Sequence, residues 1–166
     1  MSLDIHDAGT LLVFAEGGAL CALPSSAIQE VVFLPELSRP PGMPSLLEGV
    51  MTLDGQTVPV LKVATLLGLP VAVGGIYTPA MVLKEGRAAL AVERMVDVLR
   101  PKYGDLVPAG EGQSFNGCVT GLVQIKEGQV HILSAERLLL AEEQKRIAEF
   151  QALAQARLEG KDGEPS

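Results

Sequence analysis

The sequence predicts a mainly β protein with two small barrel-like halves that share one core, followed by a long C-terminal helix. The first observation behind this prediction is a set of turn signals, each an acidic residue followed by glycine between apolar segments. The second is the number of strands, about ten, which is typical of small barrels and sandwiches. The third is a break that contains Pro and Gly, Leu69 to Ile76, and divides the strands into two similar batches.

Each of the turn signals predicts a β-hairpin, because glycine accepts the positive φ of a tight turn. The signals are Glu16-Gly17-Gly18, Asp54-Gly55, Glu85-Gly86 and Glu127-Gly128. The strands predicted to flank them are Thr10 to Ala15 with Ala19 to Leu23, Gly49 to Leu53 with Thr57 to Leu61, Pro79 to Lys84 with Ala88 to Glu93, and Val119 to Lys126 with Gln129 to Leu133. Two further strands, Ile28 to Leu34 and Met95 to Arg100, complete the set.

Two helices interrupt this β pattern. A short one covers Val63 to Leu67 and stops at Gly68, a residue that commonly ends helices. The long one begins after Ser134, a good N-cap, and covers residues 135–159. The segment Pro101 to Gln113 is rich in Pro and Gly, which predicts a loop. We expect residues 1–9 to form a flexible N-terminus and residues 160–166 a disordered tail.

The long helix carries an apolar stripe on one face, formed by Leu140, Ile147, Phe150, Ala154 and Leu158. The same periodicity predicts that its charged residues point away from that stripe: Glu142, Glu143, Lys145, Arg146 and Glu149. One interpretation is that the first half of the stripe packs on the barrels of the same chain. The other is that its far half docks a partner helix or a second copy of the chain, so self-association through this helix is a possible outcome.

Composition narrows the class of partner. The chain has 166 residues, which suits one compact core, and its 13 basic against 20 acidic residues give a net charge of -7. Neither this charge nor an aromatic content of 4% favours nucleic acid. No apolar run has the roughly 18 residues of a membrane span, and the N-terminus lacks the pattern of an export signal. We therefore expect a cytoplasmic protein with no direct membrane insertion.

Motifs that would carry catalysis are missing from the sequence. The two cysteines and two histidines have no metal-ligand spacing, and no phosphate-binding loop occurs, so we expect no metal, no cofactor and no catalytic residue. His131 lies in an alternating strand, where we expect it to face solvent. An alternative from another class is a small enzyme that uses Cys118 or Ser114. It predicts a concave pocket with a perturbed cysteine or a nearby base, whereas a binding module predicts a shallow apolar groove.

The segment from Gly49 to Leu61 resembles the signature of the CheW-like family, the coupling proteins of bacterial chemotaxis and related chemosensory arrays. The signature residues that keep register are Gly49, Leu53, Gly55, Pro59 and Val60. Segments elsewhere also resemble the family: Leu12-Val13-Phe14, Ile28-Gln29-Glu30-Val31, Pro44, Ala91-Val92-Glu93-Arg94-Met95, Phe115-Asn116-Gly117 and Ile132-Leu133. The resemblance covers residues 10 to 140, which we take as one domain with two barrel subdomains.

The resemblance implies two SH3-like five-stranded β-barrels packed over a common core. It also implies an adaptor, without catalysis, that bridges the cytoplasmic tip of a chemoreceptor to the regulatory domain of a histidine kinase. Family members bind receptors in a groove between the barrels and the kinase domain at a barrel end. Ile28, Glu30 and Gly49 match family positions linked to receptor binding. Glu30 has a second interpretation as a solvated residue that alternates with Ile28 and Val31.

Four polar positions depart from the family pattern: Thr52 stands where the family has Asn, Ser134 stands where Asp is common, and the other two reverse a charge. Asp54 stands where the family has Arg, and Lys62 stands where it has Asp. Asp54 cannot make the bidentate contact of a guanidinium, so kinase coupling requires another contact. The two reversed charges compensate one another if they lie close, and otherwise reflect drift at exposed sites. The alternatives are a specialised paralogue of a pilus-motility or other chemosensory pathway without ordinary kinase coupling, and a detached regulatory domain of a kinase.

Overall fold

The computed structural model describes residues 9–71, 77–84, 88–102, 106–108 and 115–160. Within these residues the chain forms strands, one 3-10 turn and two helices. In chain order these are β1 (Leu11–Glu16), β2 (Ala19–Pro24), the 3-10 turn (Ser25–Ala27), β3 (Ile28–Phe33), β4 (Leu47–Leu53), β5 (Gln56–Lys62), α1 (Val63–Leu67), β6 (Pro79–Leu83), β7 (Ala89–Ala91), β8 (Arg94–Leu99), β9 (Leu106–Pro108), β10 (Val119–Ile125), β11 (Gly128–Leu133) and α2 (Ala135–Gly160).

All ten predicted strands are present, but the loop predicted from Pro101 to Gln113 is wrong in part. Leu106–Pro108 forms β9, which pairs with β10 in the register Gly121↔Pro108. A proline is tolerated there because β9 is an edge strand. Residues 103–105 and 109–114 of that segment, the turn at Glu85-Gly86, and residues 1–8 and 161–166 of the predicted termini lie outside the described part of the chain.

The strands form two sheets of the same design. The first has six strands in the order β8-β1-β2-β11-β10-β9, and the second has five in the order β3-β6-β7-β5-β4. Each sheet contains two antiparallel hairpins that are joined by a central parallel pair, β2 with β11 in the first and β7 with β5 in the second. The prediction of five strands is therefore confirmed for one sheet and wrong for the other, because β9 adds a sixth strand.

The two sheets exchange hairpins between the two halves of the chain. Each half runs through a hairpin, a crossing strand, a second hairpin and a helix: β1 to β5 with α1, then β6 to β11 with α2. The opening hairpin β1–β2 joins the sheet of the second half, and the hairpin β6–β7 joins the sheet of the first. Both sheets therefore need both halves of the chain, and neither batch of strands forms a sheet alone.

Three apolar clusters stabilise this arrangement. One lies within the six-stranded sheet and contains Leu11, Val13, Ala22, Val123, Val130 and Ile132. A second lies within the five-stranded sheet and contains Met51, Val58, Val60, Ala80, Val82 and Ala89. The largest draws on both sheets and both helices, and its most buried members include Phe14, Cys21, Leu23, Val63, Leu66, Met81, Leu90 and Leu138. The shared core predicted from sequence is this third cluster.

Sheet closure is limited among the described residues. β8 and β9 do not pair with each other, and neither do β3 and β4. The segment after β3 instead returns to β4, where Ser38 and Val50 exchange two backbone hydrogen bonds of 2.9 Å. The observed fold is thus mainly β, with two sheets, a shared core and a C-terminal helix.

The helix α2 begins as predicted, but a different face packs against the body. The Ser134 hydroxyl accepts a 3.2 Å hydrogen bond from the Arg137 amide, which confirms the N-cap. Leu138 is fully buried, whereas Leu140 and Ile147 are 53% and 51% exposed. The interpretation that the first half of the apolar stripe packs on the same chain is therefore wrong, because the body meets the opposite face of the helix, which carries Leu138.

Two acidic residues of α2 also lie closer to the body than predicted. Glu149 is half-buried, and its Oε1 accepts a 3.3 Å hydrogen bond from the Ser45 amide. Glu142 is half-buried and pairs with Arg146 one turn later. Both follow Leu138 at helical spacing, so they share its side of the helix. Neither described helix is long and apolar enough to cross a membrane.

Candidate functional site

An open cleft lies where the edges of the two sheets meet. Edge strand β3 of the five-stranded sheet and edge strand β8 of the six-stranded sheet both border it. Its volume is about 520 Å³, and its lining residues are Val31, Val32, Phe33, Tyr77, Pro79, Arg94 and Met95. We call this feature the edge cleft. A shallow, largely apolar cleft between two sheets is suited to a protein segment more than to a small substrate.

Aromatic side chains form the exposed wall of the edge cleft. Phe33 is 67% exposed and Tyr77 is 72% exposed, and their ring centroids lie 5.5 Å apart at an interplanar angle of 60°. Val31 on the same strand is 42% exposed. Such a patch on an unpaired strand edge is typical of an interaction surface, because burial of these side chains by a partner is favourable. Arg94 supplies a positive charge on the β8 side.

Two of the predicted partner-binding residues lie on β3, with opposite exposure. Ile28 is buried in the shared core, so its side chain anchors β3 to the core and is not available to a partner. Glu30 is exposed, and a register shift between Ile28 and Glu30 interrupts the pairing with β6. The strand to which the resemblance points therefore borders the edge cleft, while the exposed aromatic residues Phe33 and Tyr77 have no counterpart among the predicted site residues.

Gly49 has a steric reason to be glycine. It lies buried in β4, and an added Cβ would come within 2.7 Å of the Leu37 Cβ and 3.1 Å of the Ser38 carbonyl oxygen. This is the place where the segment after β3 closes on β4. Gly49 consequently lets two backbone segments approach each other closely. Because the position is buried, a larger residue there could not turn its side chain to solvent.

Asp54 is the first central residue of the β4–β5 turn. Its φ is 51°, and that of Gly55 is 79°, which matches a two-residue hairpin turn with positive φ at both positions. Among residues other than glycine, Asp and Asn adopt this conformation most readily. The replacement of the family's Arg by Asp54 therefore favours the turn locally, and the carboxylate stays exposed at the end of the sheet.

Lys62 lies at the opposite end of β5 from Asp54. Six residues separate Gln56 and Lys62, and at about 3.3 Å per residue this distance is roughly 20 Å. The hypothesis that the two reversed charges compensate each other is therefore wrong. Lys62 instead borders a cavity of about 210 Å³ together with three carboxylates, Glu16, Glu48 and Glu93.

Glu16 is the buried member of this group, with 5% of its surface exposed. Its Oε1 accepts a 2.8 Å hydrogen bond from the Glu93 amide, which links the end of β1 to the connection between β7 and β8. Burial raises the pKa of Glu16 to about 7, although the hydrogen bond from the Glu93 amide lowers it in part, and the negative charge of Glu93 adds a smaller rise. The alternation of β1 holds the signal that would have identified it, because Glu16 follows buried Phe14 by two residues.

Of the two residues considered for catalysis, the structure describes Cys118. Cys118 is buried, and this burial raises the pKa of its thiol more than the Arg137 charge lowers it, so the reactive thiolate is disfavoured. Ser114 lies outside the described residues. Among the residues that the structure describes, no group of His, Cys, Asp and Glu is placed to hold a metal ion.

His131 is half-buried, so the expectation that it faces solvent is wrong. Its Nδ1 lies 3.1 Å from the Leu20 carbonyl oxygen, within hydrogen-bonding distance. Its ring centroid lies 4.7 Å from that of Phe115. These contacts connect β11 with the neighbouring strand β2. Packing within the fold therefore accounts for a histidine at this position.

Known proteins share this architecture. A search of curated proteins finds no match to the chain. A solved structure, the scaffolding protein TtCheW from Thermoanaerobacter tengcongensis, is similar with a TM-score of 0.71 and 20% sequence identity. The match covers 78% of this chain and 86% of that one, so the two proteins share a fold. The model of the CheW-like domain family matches residues 10–143, and the chain therefore belongs to the CheW-like domain family.

Proposed function

We propose that this protein is a cytoplasmic adaptor of a chemotaxis-type pathway that couples a chemoreceptor tip to the regulatory domain of a histidine kinase. The observation that carries the proposal is the edge cleft, with the exposed side chains of Val31, Phe33 and Tyr77. Family membership supports a role as a scaffold. In this proposal each curved sheet corresponds to one SH3-like barrel, and the cleft between the sheets is the receptor groove.

The chemistry of the edge cleft suits the amphipathic helices of a receptor tip. Apolar side chains of a helix would cover Phe33 and Tyr77, and an acidic side chain would pair with Arg94. Glu30 would lie at the margin of this contact, where it can pair with a basic residue of the receptor. Ile28 and Gly49 would contribute by fixing β3 and β4, since both are buried.

The end of the five-stranded sheet would bind the kinase domain. Asp54 is exposed there and supplies a negative charge, so it requires a basic partner in place of the acidic one that an arginine would meet. Lys62 lies at the other end of β5 and would not share this contact. This single charge reversal is also what favours the second candidate, a specialised paralogue that binds receptors without ordinary kinase coupling.

An enzymatic role is not part of this proposal. The similar solved protein is described as a scaffolding protein, and Cys118 is buried with a raised thiol pKa. The adaptor would work by assembly alone, with no metal or cofactor. Two interfaces on one body would let a small displacement of the receptor bias the conformation of the kinase.

The proposal is tested by titration of the purified full chain against a receptor cytoplasmic fragment and the kinase regulatory domain from the same source. We expect Phe33→Glu to weaken receptor binding roughly thirtyfold or more, because it places a charge at an apolar anchor. Val107→Glu is the matched control, since Val107 is 55% exposed on the edge strand β9 of the other sheet. Equal loss in both variants, or no binding to either partner, would contradict the proposal.

The role of Asp54 is tested in the same titration. Asp54→Asn keeps a residue that tolerates the turn and removes the charge, whereas Asp54→Arg restores the family's residue. A kinase affinity that changes with charge supports a contact at this end of the sheet. Binding of the receptor alone by every variant would favour the specialised paralogue, and an affinity for the kinase domain that Asp54→Arg leaves unaltered would exclude a specific role for this position.

A further inference from the structure

The apolar stripe of α2 is exposed, together with Leu153 beside it. The exposed fractions are 53% for Leu140, 51% for Ile147, 71% for Phe150, 60% for Leu153 and 75% for Leu158. Leu138 and the half-buried Glu142 and Glu149 face the body from the opposite side of the helix. On the side of the stripe, Pro44 of the body borders an open cavity of about 400 Å³ with Glu143, Ile147 and Phe150, so the prediction that Glu143 points away from the stripe is wrong. Every side chain from Phe150 to Leu158 is exposed, so a second chain can cover the apolar ones.

The residues of this face are arranged almost symmetrically about Phe150. Ile147 and Leu153 lie three residues before and after it, and Glu143 and Arg157 lie seven before and after it. The outer leucines, Leu140 and Leu158, lie ten before and eight after. Ile147 thus corresponds to Leu153 and the acidic Glu143 to the basic Arg157, while Ala154 corresponds to Arg146, which pairs with Glu142 of its own copy. Apolar and opposite-charge correspondence of this kind is what a two-fold axis perpendicular to a helix requires of a self-complementary surface.

We propose that two copies of this chain associate through α2 as an antiparallel helix pair, with the two-fold axis at Phe150. In this pairing the two Phe150 rings meet at the centre. Each Glu143 comes within one helical turn of Arg157 in the other copy, so the dimer contains two Glu–Arg ion pairs. The outer leucines of opposite copies differ in height by only about 3 Å, at 1.5 Å rise per residue.

Charge distinguishes this arrangement from a parallel one. A parallel pair would place Glu143 beside Glu143 and Arg157 beside Arg157, which is repulsive at both positions. It would also bring the bodies of two acidic chains, each chain with a net charge of -7, to the same end of the helix pair. The antiparallel pair places the bodies at opposite ends. The seam spans the 19 residues from Leu140 to Leu158, or about 27 Å, and with one aromatic anchor we expect a dissociation constant on the order of micromolar.

The first test is sedimentation equilibrium of the full chain over a range of concentrations. We expect a monomer–dimer equilibrium that Phe150→Glu weakens about a hundredfold or more, because each dimer carries the change twice. Ala152→Glu is the matched control, since two residues along a helix lead to the opposite side, and it should leave the equilibrium unchanged. A chain that stays monomeric at high concentration overturns the proposal, as does equal weakening by both variants.

A charge exchange tests the pairing of residues. Glu143→Arg and Arg157→Glu should each weaken the dimer about tenfold, because each creates two repulsive pairs. The double variant should restore the affinity of the original chain. The double variant would not restore the affinity if α2 bound an unrelated partner or if the two helices met in another register. A double variant that dimerises as weakly as the single ones therefore overturns the proposal.

Cross-linking tests the orientation. Gln151 and Gln144 lie seven residues apart on the same flank of the stripe, and the native cysteines, Cys21 and Cys118, are buried. About the axis at Phe150, paired copies of position 151 differ in height by about 3 Å and those of position 144 by about 18 Å. A short thiol cross-linker should therefore join Gln151→Cys chains and leave Gln144→Cys chains separate. Equal cross-linking of the two variants, or cross-linking of neither, overturns the antiparallel arrangement.

Discussion

The two helices of this protein end equivalent halves of the chain, and they differ in almost every other respect. α1 follows β5, has five residues, and buries all of them except the half-buried Thr65. α2 follows β11, has 26 residues, and buries only Leu138 completely. Both begin in the shared core. The same order of elements therefore ends in a short buried helix in the first half and in a long, mostly exposed helix in the second.

The cause of the difference is local. α1 ends at Gly68, whose φ of 75° turns the chain out of the helix, and the Asn116 side chain donates a 2.9 Å hydrogen bond to the Leu66 carbonyl oxygen there. α2 has no glycine before residue 160, and Ala, Glu, Gln and Leu favour its continuation. The first helix thus packs entirely in the core. The second packs there only with its first turns, and its remaining turns are exposed.

The comparison predicts that the core end of α2 behaves like α1. Leu138→Ala removes a fully buried side chain from the shared core, so we expect a loss of about 3 to 4 kcal/mol in the free energy of unfolding. Leu140→Ala is the matched control two residues away, where the side chain is 53% exposed, and should cost less than about 1 kcal/mol. Urea denaturation measures both. Similar losses in the two variants would mean that α2 packs on a different face.

A second prediction concerns the link between the halves at Glu16. Its pKa of about 7 exceeds the ordinary value of 4.5. Between these two pH values the folded state keeps a proton that the unfolded state releases, so stability falls as pH rises, by roughly 3 kcal/mol at most. Below pH 4.5 both states hold the proton, and above pH 7 the loss is complete.

Glu16→Gln isolates this contribution, because its amide oxygen can still accept the hydrogen bond from Glu93. We expect the variant to lose stability less than the original chain between pH 5 and pH 8, and to be the more stable of the two at pH 8. Urea denaturation at a series of pH values measures the difference. Parallel pH profiles for the two proteins would show that Glu16 does not titrate in this range.

The stop after α1 gives a third prediction. Gly68→Ala puts a Cβ on a residue with a φ of 75°, and that atom would lie 3.3 Å from the Asn116 Nδ2. We expect a loss of about 1 to 2 kcal/mol in the free energy of unfolding, because left-handed backbone disfavours a Cβ. Thr65→Ala, in the same helix at ordinary helical φ, should change stability by less than about 0.5 kcal/mol. Equal effects would place the cause of the stop elsewhere.

These cases also show how much of the molecule the sequence could predict. Local signals were sufficient for Gly68, for the Ser134 N-cap and for the Asp54 turn, because each acts within a few residues. The exchange of hairpins between the halves was beyond such signals, since it depends on parallel pairing of β2 with β11 across most of the chain. Periodicity found the apolar stripe of α2 but not its orientation, because Leu138 on the opposite face decides which side of the helix meets the body.

The candidate site was likewise predictable from the sequence only in part. The resemblance led to β3 through Ile28 and Glu30, since a strand motif is a local pattern. It did not lead to Phe33 and Tyr77, because these residues are far apart in the sequence and come together only when β3 pairs with β6. Glu16 was treated as a turn residue although its position two residues after Phe14 places it on the buried side of β1.

The smallest expected effect tests the projecting part of α2 directly. Leu153 is 60% exposed and lies one helical turn beyond Glu149, whose Oε1 accepts a hydrogen bond from the Ser45 amide of the body. Leu153→Ala should therefore change the free energy of unfolding by less than about 0.5 kcal/mol, when measured in dilute solution where self-association is negligible. At higher concentration the same variant should lower the apparent stability, because it weakens a dimer that binds only the folded state. A loss as large as that of Leu138→Ala in dilute solution would show that this end of α2 belongs to the core, and the contrast with α1 would disappear.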